Sequence, residues 1–102
     1  MIVRYKIIVS DKAADMLQKH IAFIGNVSKD AARKEKENIV DAIRKLKDDA
    51  QIYPFFESEM IPHNKYHKHV VSKRYIILYQ IKDSVVYVDY ILDTRQDYSW
   101  LL

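Results

Sequence analysis

The fold of this chain is decided by residues 72–95, which read SKRYIILYQIKDSVVYVDYILDTR. Two runs rich in β-branched and aromatic residues, at about 74–81 and 85–92, flank a short polar link. Such runs favour strands, and a short polar link between them favours a tight hairpin. The open end of that hairpin brings together residues that are distant in sequence, among them Arg74, Asp93 and Arg95.

The length of each turn decides which side chains share a face of this hairpin. A two-residue turn at Asp83-Ser84 or Lys82-Asp83 predicts one uniformly apolar face that receives the helices. Its members are Tyr75, Ile77, Tyr79, Ile81, Val86, Val88, Tyr90 and Leu92. A second two-residue turn, at Ser72-Lys73, places a preceding strand at about 66–71 so that its polar side chains join the opposite, open face. The open face is then predicted to carry Lys65, His67, His69, Val71, Arg74, Ile76, Leu78, Gln80, Tyr87, Asp89 and Ile91.

The N-terminal half reads as one strand followed by two helices. Apolar residues alternate with basic ones over about residues 2–9, which is the period of a half-buried strand. Ser10 or Asp11 can cap a helix that ends at Gly25, and Ser28 can cap an amphipathic helix that continues to about Ala50. The short link between the helices predicts an antiparallel pair.

These elements predict an α+β fold in one domain that spans residues 1–102. The order is an N-terminal strand, an antiparallel helical hairpin and a three-stranded antiparallel meander that completes one twisted sheet, with the helices on one face. Residues 51–64 hold both prolines and read as a loop that partly packs on the core.

Composition narrows the class of protein. The chain has 102 residues and no cysteine, so it offers neither a disulfide framework nor a thiolate metal site. Its start lacks the long apolar run of a signal peptide, and no stretch approaches the length of a membrane span. We therefore expect a cytoplasmic protein without membrane contact.

The basic residues are concentrated locally, although the net charge is only +3. No acidic residue lies between Glu59 and Asp83. That stretch holds Lys65, Lys68, Lys73, Arg74 and Lys82, together with His63, His67 and His69. A local basic surface suits a polyanion or an acidic partner. The alternative is a solvated loop and edge strand, whose lysines discourage edge pairing.

Four residues could carry chemistry on a phosphodiester: His67, His69, Arg74 and Arg95. Imidazoles titrate near neutral pH, so one could deprotonate a ribose 2′-hydroxyl while another protonates the leaving oxygen. Guanidinium groups could stabilise the developing charge. The histidines could instead be plain polar residues of an exposed strand; a metal site is not expected, because no cysteine or well-placed carboxylate completes a tetrahedral set. No cofactor is expected either. The predicted substrate-binding residues are Lys65, Lys68, Lys73, Tyr87 and Tyr98.

The order of elements and the ending Asp93-Thr94-Arg95-Gln96-Asp97-Tyr98 resemble the RelE/ParE superfamily of toxins from bacterial type II toxin–antitoxin systems. The similarity covers nearly the whole chain. It implies an antiparallel sheet with a helical hairpin on one face. It also implies a cognate antitoxin, commonly one whose extended or helical tail wraps the toxin and covers its basic surface.

The resemblance implies two alternative targets. RelE-like members cut mRNA in the ribosomal A site without a metal, whereas ParE-like members poison DNA gyrase. Matching the strands places the two lysines of the preceding family strand at His67 and His69, and the late family arginine at Arg95. Ile76 stands where the family has a strand arginine, and Arg74 lies two residues earlier.

The leading hypothesis is a toxin that cleaves mRNA on the ribosome. Arg74 and Arg95 would hold phosphate, His67 and His69 would act as base and acid, and Tyr87 or Tyr98 would stack a base. The ending Arg95-x-Asp97 favours the alternative, a non-nuclease inhibitor of DNA gyrase. An inactive, toxin-like binding module is the third alternative.

Overall fold

A computed structural model describes residues 4–59 and 61–95. Its elements are β1 (Lys6–Val9), α1 (Asp11–Gly25), α2 (Lys29–Asp49), β2 (His67–Val71), β3 (Tyr75–Lys82) and β4 (Val85–Asp93). The predicted α+β class is confirmed. The bounds of both helices and of β2, β3 and β4 agree with the predicted ones within about two residues, whereas β1 begins at Lys6 and not at about residue 2. Tyr98 and the rest of the predicted ending beyond Arg95 lie outside the described residues.

Both helices begin at the serine caps that the sequence predicts. The Ala13 N–H donates to Ser10 Oγ at 3.0 Å, and the Ala31 N–H donates to Ser28 Oγ at 3.1 Å. Each hydroxyl satisfies a backbone donor that has no partner within its helix. The caps therefore set where each helix starts, and the link between the helices is short.

The sheet has the strand order β1-β4-β3-β2. The β2–β3 and β3–β4 pairs are antiparallel, as the predicted meander requires. β1 instead runs parallel to β4, from Lys6 opposite Val85 to Val9 opposite Val88. The sheet is therefore mixed, which corrects the fully antiparallel sheet implied by the family resemblance. The parallel pairing arises because the chain crosses through both helices before it returns to the sheet.

The β3–β4 hairpin has the predicted two-residue turn, since Lys82 pairs with Val85. Further along, Leu78 pairs with Tyr90 while Tyr79 pairs with Val88, so Asp89 is an extra residue in β4. A bulge of this kind reverses the faces of all residues beyond it. The prediction that Tyr90 and Leu92 face the helices is therefore wrong, because Ile91 takes that place.

The β2–β3 turn differs from the predicted one, and the difference moves both histidines. Ser72 and Lys73 have positive φ angles of 56° and 57°, but Val71 pairs with Tyr75, not with Arg74. This register places His67 opposite Tyr79, and His69 opposite Ile77. The predicted open-face position of His67, His69 and Val71 is wrong, since these side chains lie on the helix side of the sheet.

Apolar side chains pack on both faces of the sheet. On the helix side, Ile39 and Leu46 of α2 pack with Tyr75, Ile77 and Val88, and all five are fully buried. The other face carries a smaller cluster that includes Ile61, Tyr66, Ile76, Leu78 and Leu92. The loop between α2 and β2 thus covers part of the face that the sequence predicts to be open.

Candidate functional site

Two arginines share one buried carboxylate at the open end of the β3–β4 hairpin. Asp93 ends β4 opposite Tyr75, and only 6% of its surface is exposed. The Arg95 backbone N–H and its Nε donate to Asp93 Oδ1 at 3.0 and 3.3 Å, and an Arg95 terminal nitrogen donates to Oδ2 at 3.2 Å. An Arg74 terminal nitrogen reaches the same Oδ2 at 3.5 Å. The predicted meeting of Arg74, Asp93 and Arg95 is confirmed.

We call Arg74, Asp93 and Arg95 the arginine cluster. The ion pairs within it favour the charged form of each side chain. Burial opposes ionisation of Asp93, but the hydrogen bonds from Arg95 and the two positive charges outweigh it and lower the pKa of Asp93. The hydrogen bond to Asp93 raises the pKa of Arg95. One carboxylate faces two guanidinium groups, so the cluster keeps a net positive charge. Arg95 presents that charge outward, because 61% of its side chain is exposed.

The Tyr75 ring packs between the arginine cluster and His20 of α1. The Arg74 guanidinium lies over the Tyr75 ring at 5.1 Å, and the His20 ring lies 5.2 Å from the same ring. His20 Nε2 is 2.8 Å from the Ile91 carbonyl oxygen, so this nitrogen is the donor in the bond. The Tyr75 hydroxyl is buried without a hydrogen-bond partner among the described residues, and burial raises its pKa. Tyr75 therefore stays neutral and serves as a packing surface for both neighbours.

The two histidines belong to a ladder of rings at the other end of the sheet. The His67 ring lies between Phe55 at 4.2 Å and Tyr79 at 5.3 Å, and it is nearly parallel to the Tyr79 ring at 13°. His69 stacks on Tyr53, with ring centroids 4.0 Å apart. We call these five residues, Tyr53, Phe55, His67, His69 and Tyr79, the histidine ladder. Ring contacts of this kind stabilise a fold by about 0.5–1.5 kcal/mol each.

Two polar side chains of the ladder also form hydrogen bonds to backbone carbonyls. His67 Nδ1 is 2.8 Å from the Tyr53 carbonyl oxygen, and the Tyr79 hydroxyl donates to the Ala50 carbonyl at 2.6 Å. Burial lowers the pKa of His69, and Lys45 lowers it further, while Asp49 opposes them. The neutral form of His69 is therefore favoured in the folded state.

The histidines and arginines predicted to form one catalytic set are not on a common open surface. The arginine cluster lies beside Tyr75. His67 lies opposite Tyr79 and His69 opposite Ile77, which are four and two residues, or about 13 and 7 Å, farther along the strand. Buried Val71, Tyr75 and Ile77 occupy the sheet between them. The roles of these four residues as base, acid and phosphate ligands remain a prediction. The prediction that they share one face of the sheet is wrong.

Some predicted substrate-binding residues do lie on the face away from the helices. Lys68 pairs with Leu78 and Tyr87 pairs with Gln80, which places both side chains there. Asp89 Oδ2 accepts hydrogen bonds from Gln80 at 2.8 Å and from the Tyr66 hydroxyl at 3.0 Å. Tyr66 comes from the covering loop, so this polar cluster ties the loop to the bulge of β4.

The remaining predicted binding residues are scattered. The Lys65 ammonium lies over the Tyr66 ring at 5.5 Å. Lys73 is exposed in the β2–β3 turn, near the arginine cluster in sequence but not in contact with Asp93 in any ion pair of the described residues. Tyr98 lies outside the described residues. The basic residues among positions 61–82 therefore lie in a loop, in a turn and on both faces of the sheet.

A groove between the helices is a further surface, which the sequence did not predict. It encloses about 670 Å³ beside the end of β1, and its floor includes Leu17, Ile21, Val40 and Ile43. Ala14, Leu17 and Ile21 repeat at helical spacing, yet Ala14 is exposed and the other two are half-buried. The fully buried residue of α1 is Ala13. A helix-period count could have shown that α1 carries more apolar positions than one buried face requires.

Sequence reasoning also missed the partners of the histidines. Tyr53 and Phe55 lie in the stretch predicted to be a loop that partly packs on the core. A backbone hydrogen bond from the Lys68 N–H to the Pro54 carbonyl at 2.8 Å holds this stretch against β2, which the sequence did not predict. The signal was present in the alternation, because His67, His69 and Val71 share one side of β2 and Val71 is an apolar residue that needs burial.

Within the described residues, neither helix is both long and apolar enough to cross a membrane. The same residues contain no group of three histidine, aspartate or glutamate side chains placed to hold a metal ion.

The described chain thus has two helices, a mixed four-stranded sheet and two arginines at the open end of the β3–β4 hairpin. The sequence profile described as "ParE toxin of type II toxin-antitoxin system, parDE" matches residues 7–98. The chain therefore belongs to the ParE toxin family of type II toxin–antitoxin systems, and membership implies a cognate antitoxin partner.

A solved structure shows the same fold. A chain of "Chromosomal ParDE TA system from P. aeruginosa" superposes with a TM-score of 0.72 at 16% sequence identity, over 88% of this chain and 96% of that chain. At this identity the likeness concerns the fold alone. No curated protein sequence matches this chain significantly.

Proposed function

We propose that this toxin arrests growth by binding a cytoplasmic protein target without cutting RNA, and that DNA gyrase is that target. The observation that carries the proposal is the position of the histidines. They stack in the histidine ladder on the helix side of the sheet, away from the arginine cluster. Ribosome-dependent mRNA cleavage needs a base, an acid and phosphate ligands around one scissile bond.

The arginine cluster is the part of the molecule best suited to contact the target. Arg95 is exposed and fixed by three hydrogen bonds to Asp93, so binding requires little further ordering of its side chain. Arginine residues that are held in place and partly desolvated are common energetic centres of protein interfaces. Membership of the ParE family supports the choice of target class, because the resemblance associates ParE-like members with gyrase.

The test is a DNA supercoiling assay with purified toxin and gyrase, run beside a ribosome-programmed mRNA cleavage assay. We expect inhibited supercoiling or trapped cleavage complexes, and no toxin-dependent cut in the mRNA. Arg95→Ala should weaken inhibition at least about tenfold, as truncation of an interface hot spot does. Arg33→Ala is the matched control, because Arg33 is also exposed and paired with an aspartate, Asp30, at 3.5 Å.

Two results would overturn the proposal. One is normal supercoiling at saturating, folded toxin. The other is mRNA cleavage that requires the ribosome and is lost in His67→Ala and His69→Ala, which would restore the catalytic hypothesis.

A further inference from the structure

Two exposed lysines border one end of the sheet face that points away from the helices. Lys82 of β3 lies opposite Val85 of β4, and Val85 lies opposite Lys6 of β1. The next residue of β4, Val86, packs in the core on the helix side. Because successive side chains of a strand alternate between its faces, Lys6 and Lys82 point away from the helices. Both side chains reach solvent.

Three more lysines lie farther along the same face. Lys68 of β2 lies opposite Leu78, which lies opposite Tyr90 of β4. The Lys12 ammonium, from the start of α1, lies over the Tyr90 ring at 5.1 Å. The covering loop adds Lys65 beside Tyr66. We call the five lysines the lysine face: Lys6, Lys12, Lys65, Lys68 and Lys82.

Two tyrosines hold two of these lysines in place. The Tyr66 and Tyr90 rings meet edge to face, with centroids 5.7 Å apart. Lys65 lies over the first ring at 5.5 Å, and Lys12 lies over the second. Such cation–π contacts are worth about 0.5–1 kcal/mol at exposed sites, so they order the two ammonium groups. Each ring face that carries a lysine is not open to a stacked nucleobase.

The lysine face keeps a net positive charge. None of the ion pairs formed among the described residues includes one of its lysines. Asp89 lies within the face, but its carboxylate already accepts hydrogen bonds from Gln80 and Tyr66. The four other lysines surround Lys68 and are exposed, so their ammonium groups are available to an anionic partner.

The spacing of the lysines matches duplex DNA. Lys6 and Lys82 are two strand spacings, or about 10 Å, apart. Lys68 lies opposite Leu78, which is four residues, or about 13 Å, along β3 from Lys82. The major groove of B-DNA is about 12 Å wide, so lysines at these separations can meet phosphates on both of its edges.

We propose that the lysine face binds the phosphate backbone of duplex DNA without regard to base sequence, and that this DNA is the segment bound by the gyrase target. The assignment to gyrase-bound DNA rests on the proposed function. The contact with a duplex rests on the lysine face alone. The arginine cluster lies on the helix side of the sheet, where it stays available to the protein.

The experiment measures DNA binding by fluorescence anisotropy in the absence of gyrase. The probes are two labelled duplexes of about 20 base pairs, or two helical turns, with unrelated sequences, and an RNA strand of the same length. The test variant is Lys6→Gln/Lys68→Gln/Lys82→Gln, which leaves both lysine–tyrosine contacts intact. Lys19→Gln/Lys34→Gln/Lys36→Gln is the matched control, because it removes the same charge from exposed positions of the helices.

We expect the wild-type chain and the control to bind both duplexes equally and the RNA strand more weakly. Four or five phosphate contacts predict a slope of log affinity against log salt of about −3.6 to −4.5. Loss of three contacts should reduce that slope by about 2.7 in the test variant and weaken binding at least tenfold at about 50 mM salt. No duplex binding by the wild-type chain, tighter binding of the RNA strand, or equal losses in both variants would overturn the proposal.

The supercoiling assay tests the assignment to gyrase-bound DNA. The test variant should inhibit gyrase at least about fivefold more weakly than the control, and equal inhibition by the two would overturn the assignment. Duplex binding is measured without gyrase, so the two proposals fail separately. Normal supercoiling beside salt-dependent duplex binding would count against the gyrase target, whereas inhibited supercoiling without duplex binding would count against the lysine face.

Discussion

The two ends of the β2–β3–β4 meander use titratable side chains in opposite ways. At one end, the imidazole rings of the histidine ladder stack on aromatic rings, and His67 is hydrogen-bonded to a backbone carbonyl. At the other, Arg74 and Arg95 converge on a single buried carboxylate and keep a net positive charge at the surface. Histidines, although suited to acid–base catalysis, can thus serve to pack the fold, whereas an arginine that is paired with a carboxylate can still contact a partner.

Asp93→Ala should have the largest effect on this comparison, because it removes the acid that holds the arginine cluster together. We expect the free energy of unfolding to fall by about 3 kcal/mol, at the low end for a broken buried pair because both guanidinium groups reach solvent. Urea denaturation measures the change. Asp41→Ala, in an exposed pair with Arg44, is the control and should change the stability by less than about 0.5 kcal/mol. Equal losses in both variants would show that the buried carboxylate has no special role.

His67→Ala disrupts the histidine ladder. It removes ring contacts with Phe55 and Tyr79 and the bond to the Tyr53 carbonyl, so we expect a loss of about 2 kcal/mol in the free energy of unfolding. His63→Ala is the matched control, because that side chain is 86% exposed. A loss no greater than that of the control would contradict the ladder as a stabilising element.

His67→Phe separates the two contributions of this side chain, because it keeps an aromatic ring and removes the ring nitrogens. The stacking partners remain, and only the hydrogen bond to the Tyr53 carbonyl is lost, so the expected loss is about 1 kcal/mol. Thermal and urea denaturation of the two His67 variants separate the two contributions. A His67→Phe variant as unstable as His67→Ala would mean that the nitrogens, not the ring, stabilise this end.

The smallest expected effect is a pH dependence from His69. Its folded pKa is lowered, chiefly by burial, so the unfolded chain binds a proton more readily than the folded one. Stability should therefore be complete above the unfolded pKa of about 6.5 and should decline as the pH falls toward the lowered folded value. His69→Gln should flatten the dependence of unfolding free energy between neutral pH and pH 5. An unchanged slope would show that His69 is not the group responsible.

The sequence predicts the element order, both serine caps and the β3–β4 turn because each depends on local signals. It fails where a single residue changes the register. Asp89 inserts a bulge into β4 and reverses Tyr90, Ile91 and Leu92, and no local signal of the strand marks it. Arg74 is a third residue in the turn between Val71 and Tyr75, and this extra residue likewise moves His67 to the helix side. Faces are long-range consequences of register, so one residue was enough to separate the predicted catalytic set.

The groove was missed for a related reason. Helix periodicity shows that α1 has apolar positions on more than one side, but it cannot show which of them a second helix will cover. Ala13 is buried against the sheet and Ala14 lines the groove, although they are neighbours of the same type.

We propose that the histidines pack in the fold and do not catalyse. The most direct measurement is growth arrest on induced expression of His67→Phe/His69→Phe, normalised to the amount of folded protein. We expect arrest within about twofold of the wild-type dose, because both rings keep their place in the ladder. A variant that folds to the wild-type level but no longer arrests growth would contradict it and return the histidines to the chemistry of the toxin.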